Sequence, residues 1–328
     1  MHTFVYRVLQ VRTNPFFRGK IEELKEGIGV AIEIGLTGWG DHDSLILTAP
    51  KSKDKLRMYA RHYPLVEVDT SFYAIQPPER MGKWADETPE SFGFIVKAYQ
   101  EMTGHQRGKP YYTEADEMYA AFRESLAPLM ERGKLRAALF QYPPWFACTR
   151  DSVNVLREAK RRMEGIPCAL EFRHRSWFDP EFRERTLTFM REEGWIHSVC
   201  DEPQAGDGSI PAVAEATDPS YTIVRFHGRN SSGWNNGGGA DWRAVRYLYR
   251  YSPEELESWR GRLEELGRQS RAVGVVFNNN SGGDAADNAK MLMAMLGQRT
   301  PEGKEPLERE QPAPKEPEPE QLDLFDSL

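Results

Sequence analysis

Eight short apolar runs recur along this chain, and they constrain its fold more than any other feature. They read AIEIGL (31–36), LVEVD (65–69), FGFIVK (92–97), AALFQ (137–141), CALEF (168–172), IHSVC (196–200), TIVRF (222–226) and VGVVFN (273–278). Near-continuous apolar runs of this length read as strands covered on both faces, the signature of a parallel sheet. Most are followed by a longer helical pattern. TEADEMYAAFRESLAPLMERGK carries acidic residues early and basic ones late, as the helix dipole prefers. RDSVNVLREAKRRMEG opens on an Asp-Ser cap and ends at Gly165, and DPEFRERTLTFMREEGW opens with Pro180 in its first turn. SPEELESWRGRLEELG has Ser252 as its N-cap, Pro253 next, and a stop at Gly267. The Gly/Pro/Ala-rich segment 201–221 reads as a loop. Alternating strands and helices specify an α/β protein, either a doubly wound open sheet or a closed barrel. The count of eight favours a TIM-barrel-like (β/α)8 domain.

The barrel accounts for residues 31–300. Of the net charge of −7, −6 falls in 301–328, where three Lys/Arg face nine Asp/Glu. The first 300 residues are therefore near neutral, which excludes wholesale coating of nucleic acid by bulk charge. Residues 301–321 hold six prolines and read as an acidic, disordered tail. Residues 1–30 show weak periodicity and read as an N-terminal extension. Alternatively, translation starts at Val30 from a GTG codon, with Lys25-Glu26-Gly27 encoding a ribosome-binding site. Cys148, Cys168 and Cys200 form no CxxC and no evident disulfide framework. There is no apolar run of 18 residues and no signal-peptide core, so the expected compartment is the cytoplasm.

Nearly every run ends in polar residues at its C-terminal end, the active-site end of a barrel strand. They include Glu67 and Asp69, Lys97, Gln141, Glu171 and Arg173, Asp201, Arg225, His227 and Arg229, and Asn278 and Asn279. Residues two apart share a strand face, so Glu67 with Asp69, Glu171 with Arg173 and Arg225 with His227 are expected to converge on one pocket. A single Glu–Arg pair would be read as internal neutralisation. Charges on at least four strands at one end point instead to a site. Its cations suit phosphate or carboxylate, and a carboxylate beside a histidine suits acid–base work. A divalent metal is compatible with Asp, Glu and His, although no tight ligand spacing supports it.

The turn FNNNSGGD before the last helix offers backbone N–H groups to an anion, or serves as a plain βα turn. The segment GRNSSGWNNGGGADWRAVRYLYRYS mixes Trp242, Tyr247, Tyr249 and Tyr251 with Arg243, Arg246 and Arg250. It reads as a lid, as a base-stacking platform, or as an excursion packed on the rim. His42, Phe72 and Tyr73 follow the first two strands and either line the mouth or pack it.

The motifs GLTGWGDHDSL, VEVDTSFYAIQP, FIVKAYQEMTGH, FQYPPWF, ALEFRHRSWF, VRFHGR and VFNNNSGGDAADNA resemble, in order over roughly 31–297, the domain of unknown function 72 family, also called YecE-like. The resemblance implies a TIM-barrel-like fold and no established activity. It carries over Glu67, Lys97, Gln141, Glu171, Arg173, Arg225, His227, Gly228, Arg229, Asn278 and Asn279 as site residues. Asp69 departs from an Asn frequent in the family pattern.

Two functions follow as expectations. One is a hydrolase or lyase on a phosphorylated or nucleic-acid ligand. In it Glu67 or Glu171 is general base or metal ligand, His227 shuttles the proton, and Lys97, Arg173 and Arg225 stabilise anionic charge. The other is a non-catalytic adaptor that holds an anionic ligand. A sugar-processing barrel ranks below both, because the pocket has no excess of carboxylates. The tail ends in QLDLF, which resembles the peptide by which bacterial replication and repair proteins bind the DNA sliding clamp. Gln321 would hydrogen-bond, and Leu322, Leu324 and Phe325 would fill apolar pockets. Alternatively, Leu324 and Phe325 latch back on the barrel.

Overall fold

A computed structural model describes residues 31–42, 54–234 and 245–302. The N-terminal extension, Trp242, Arg243 and the QLDLF peptide lie outside the described residues. Eight strands are present: β1 (Ala31–Thr37), β2 (Leu65–Val68), β3 (Gly93–Lys97), β4 (Leu135–Gln141), β5 (Cys168–Glu171), β6 (Ile196–Asp201), β7 (Tyr221–Phe226) and β8 (Ala272–Phe277). Each pairs in parallel with the next, and β8 pairs with β1 through Ala31↔Ala272 to Leu36↔Phe277, closing the barrel. That closure removes the open-sheet alternative.

Among the described residues, seven helices of five residues or more follow strands on the outside, besides the one-turn helices Thr70–Tyr73 and Ser231–Trp234: α1 (Lys55–Tyr59), α2 (Pro78–Asp86), α3 (Ala115–Glu131), α4 (Arg150–Arg162), α5 (Arg183–Glu193), α6 (Pro253–Gln269) and α7 (Asp284–Met295). The β6–β7 connection has no helix, as its Gly/Pro content predicts. Three helix ends differ from the sequence reading. The α4 cap is Thr149, whose side chain accepts the Ser152 N–H, rather than the Asp-Ser pair. Helix α5 begins at Arg183, because Asp179–Phe182 forms a separate turn first. Helix α6 runs past Gly267 to Gln269, and the Ser270 N–H closes its last turn on the Leu266 carbonyl at 2.8 Å. Its start is as expected, with Ser252 and Glu255 forming a reciprocal capping box.

Strand alternation produces two separate apolar clusters. The larger lies between strands and helices and holds Phe94, Phe140, Leu170, Val224 and Phe277 with Phe122, Leu156, Leu263 and Leu292. The smaller fills the barrel interior with Leu65, Ile95, Leu139, Ala169, Ile223 and Val276. Below it, Glu33 is clamped by Arg136 at 2.8 Å and accepts the Tyr221 hydroxyl at 2.8 Å, which plugs the N-terminal end. Gly274 makes room there, because a Cβ would collide with the Tyr221 hydroxyl. With one end plugged and the middle packed, only the C-terminal end of the barrel is left to hold polar groups.

Candidate functional site at the barrel mouth

At that end the inward positions switch from apolar to charged. Arg225, on β7, is the hub. It binds Glu67 of β2 through Nε (2.8 Å) and Nη2 (2.6 Å), a two-point grip on one carboxylate. Its Nη1 reaches both oxygens of Glu171 on β5, at 3.0 and 2.8 Å. Glu171 also accepts from Arg173 Nη1 (3.0 Å) and from the Ser198 hydroxyl (3.1 Å). Glu67, Glu171, Arg173 and Arg225 are all buried. Burial alone would raise the Glu171 carboxyl, but Arg225 and Arg173 hold it well below the usual carboxylate range. Glu67 shifts upward, because burial outweighs Arg225 and Lys97.

His227 stands against this cluster. Arg173 Nη1 is 2.9 Å from its Nε2, Arg225 Nη1 is 3.4 Å away, and Nδ1 is 3.0 Å from the Asn278 side-chain amide. A guanidinium only donates, so Nε2 accepts from Arg173; a proton on Nδ1 then needs the Asn278 amide turned over, because it is the amide nitrogen that stands 3.0 Å from Nδ1. Burial and the two guanidinium charges push the imidazole well below its ordinary value, so His227 is neutral at pH 7.

Glu202, one residue past β6, was not among the candidates read from the sequence. Its side chain is buried beside Arg173, with Oε2 3.2 Å from Arg173 Nη1 and Oε1 accepting the Ile210 N–H at 2.7 Å. Oε2 makes no hydrogen bond. Burial lifts this carboxyl to about 7, and Arg173 only partly offsets the shift. Glu202 therefore exchanges a proton near neutrality, whereas Glu171 stays ionised. Trp234 roofs the group, with Arg173 4.9 Å from its ring and Arg246 4.0 Å from it.

Lys97 and Asp69 lie at the more open edge, paired at 2.9 Å. Burial opposes the Lys97 charge, but Asp69 more than compensates and holds the ammonium above its ordinary value. Gln141 is half-buried at the end of β4, in register with Glu171.

Other predicted residues fall elsewhere. Asp201 faces the helices rather than the barrel axis, accepting from Tyr251 (2.8 Å) and Trp259 (2.6 Å). Arg229 pairs with Asp201 (2.6 Å) and Glu255 (2.8 Å), away from Glu171. The reason is Gly228, whose left-handed φ of +81° breaks the alternation begun by Arg225 and His227. A Cβ at Gly228 would lie 2.7 Å from the Tyr249 Cβ, so the turn requires glycine. Asn279 braces the rim through the Tyr249 carbonyl and Asn288. His42 is buried against Gly38 and Asn280 and packs the mouth rather than lining it. The α7 start offers little to an external anion, because Asp284 and Asp287 occupy its first turn and engage Arg250. Tyr249 and Tyr251 pack on the rim through Glu255 and Asp201, as an ordered excursion rather than a stacking platform.

Ligand atoms of Glu171, Cys200 and His227 lie within 4.8 Å of one another. This set does not fit a dication. Arg173 and Arg225 already take lone pairs of Glu171 and His227 and place two positive charges beside any ion held there.

A family model described as "Protein of unknown function DUF72" matches residues 33–315. The chain belongs to this family. It is 58% identical over 266 residues to UPF0759 protein YunF of Bacillus subtilis, covering 81% of this chain and 94% of that one. UPF0759 protein YecE of Escherichia coli K12 is 31% identical over 101 residues, 31% of this chain and 34% of that one. Among solved structures, a DUF72 family protein of Enterococcus faecalis V583 superposes with TM-score 0.77 at 38% identity, covering 82% of this chain and 96% of its own. One from Thermotoga maritima gives TM-score 0.69 at 28% identity, covering 82% and 100%. Among the described residues, no helix is long and apolar enough to cross a membrane.

Proposed function

We propose that the barrel mouth binds a phosphorylated or nucleic-acid ligand and promotes its hydrolysis or elimination. The observation that carries this reading is the convergence of Glu67, Glu171, Arg173, Arg225 and Glu202 from four strand ends around one point. Charges gathered at the C-terminal end of a barrel are where such folds do chemistry. Within this reading, Glu67 and Glu171 hold the two guanidiniums in place. Arg173 and Lys97 meet the anion, and His227, kept neutral, fixes the Arg173 orientation. Glu202 moves the proton, being the carboxyl lifted to about 7. The test is turnover of a panel of phosphomonoesters, phosphodiesters and oligonucleotides by the full chain.

The adaptor reading has one observation in its favour. Arg173, Arg225 and both glutamates are already paired and buried, as in a scaffold. Ligand that binds with no turnover on the panel decides for it.

We further propose that the QLDLF tail brings the barrel to the DNA sliding clamp. A Pro-rich acidic linker presents Gln321, Leu322, Leu324 and Phe325 at high local concentration. A peptide spanning 318–328 is expected to bind the clamp with micromolar affinity by calorimetry. Binding should vanish with Gln321→Ala plus Phe325→Ala, and a peptide with no detectable heat of binding ends the idea.

A further inference from the structure

The open side of the mouth lies between the loops that follow β2, β3 and β4. There Tyr73 and Trp145 are 55% and 59% exposed. Phe72 meets Tyr73 edge-on at 5.2 Å and His105 edge-on at 5.2 Å, and His105 meets Trp145 at 6.0 Å. Four rings from three successive loops thus form one continuous shelf. Isolated exposed aromatics are ordinary, but a contiguous row beside a polar cluster marks a binding surface.

Charge lies beside the shelf. On the inner side, Lys97, paired with Asp69, lies over one face of the Phe72 ring, 4.6 Å from its centre. The loop that carries His105 continues with exposed Arg107, whose charge acts on His105, and exposed Lys109. Burial, with Lys97, Arg173 and Arg107 nearby, pushes His105 down to about 4, so it is an uncharged flat ring at neutral pH. Rings interleaved with cations are the combination that binds single strands: bases stack on the rings and phosphates follow the cations. A glycan would use the rings but leave the cations without a counterpart.

We infer that the Tyr73–Phe72–His105–Trp145 shelf stacks the bases of a single-stranded nucleic acid whose phosphates run past Lys97, Arg107 and Lys109. This names the ligand class of the site proposed above and rests on the anionic-ligand reading.

The test uses the full chain and three probes: a labelled 12-nucleotide oligothymidylate, an abasic deoxyribose-phosphate oligomer of the same length, and inorganic pyrophosphate. By fluorescence anisotropy, the wild type should bind oligothymidylate more tightly than the abasic oligomer. Tyr73→Ala with Trp145→Ala should weaken oligothymidylate by about tenfold or more and leave the abasic oligomer unchanged. Both side chains are exposed, and circular dichroism checks that the variant is folded. Unchanged oligothymidylate affinity in the variant, or equal binding of both oligomers by the wild type, overturns the shelf. So does binding of pyrophosphate with neither oligomer bound, although the anionic-ligand reading then stands. Failure to bind any of the three overturns both.

Discussion

Arg225→Met is expected to cost about 3–5 kcal/mol of stability at pH 7.5, the range for removing one partner of a buried ion network. Arg225 makes four hydrogen-bond contacts to Glu67 and Glu171 in the described structure. Without it, Glu67 loses its two-point partner, and Glu171 keeps Arg173 and Ser198, with His227 Nε2 3.4 Å away. Two carboxylates would then be buried with one cation between them. The chain can relieve this by protonating Glu67, so the loss should shrink as pH falls towards 5. Arg225→Lys should fall between wild type and methionine, since an ammonium cannot span both carboxylates as a planar fork does. Urea denaturation at pH 7.5 and pH 5 measures all of this. A midpoint at pH 7.5 within error of wild type would show that the network does not hold the mouth together.

Glu202→Gln should do the opposite at alkaline pH and stabilise the protein. The sign follows from linkage. The unfolded carboxyl titrates near its ordinary value of 4.5, and the folded one is lifted to about 7. Between those values the folded chain holds a proton that the unfolded chain has lost. Stability therefore falls as pH rises through this window. The cost of the buried charge is absent below the unfolded value and complete above the folded one. At about 1.4 kcal/mol per pKa unit the full drop is on the order of 3 kcal/mol. Glutamine keeps the acceptor for the Ile210 N–H and removes the titration. Wild type and variant should match near pH 4.5, with the variant more stable by roughly 3 kcal/mol at pH 8. Urea titrations at several pH values check this, and parallel curves would mean that Glu202 does not titrate in the window.

The barrel was legible because parallel strands are apolar on both faces and turn polar only where they end. Each of the eight runs became a strand within two residues of its predicted bounds. The same property hid the phase of alternation. In IHSVCD both faces are buried, so nothing in the residue types says whether Ser198 and Cys200 or His197, Val199 and Asp201 face the axis. Asp201 was therefore expected in the pocket, while Glu202, one residue beyond the strand, was passed over. Arg229 turned outward for a different reason: the glycine turn at 228 resets the direction of the chain, and alternation rules end where a strand does. Glu67, Glu171, Arg173, Arg225 and His227 could be grouped from sequence, since each lies on or next to a strand whose inward face carries a polar end. Trp234 and Arg246 roof that group from short helical turns, Trp234 closing the four-residue helix Ser231–Trp234, too short for any periodicity to announce direction.

Turnover by wild type and Glu202→Gln on the phosphoester and oligonucleotide panel tests the central claim most directly. The proposed acid–base site predicts that the wild type converts at least one member of the panel, with a pH dependence that changes near 7. The folded Glu202→Gln variant should then be slower by about 10²–10⁴-fold, the usual contribution of a positioned proton donor or acceptor. A ligand that binds the wild type and is never converted, or a variant as fast as wild type, would contradict it.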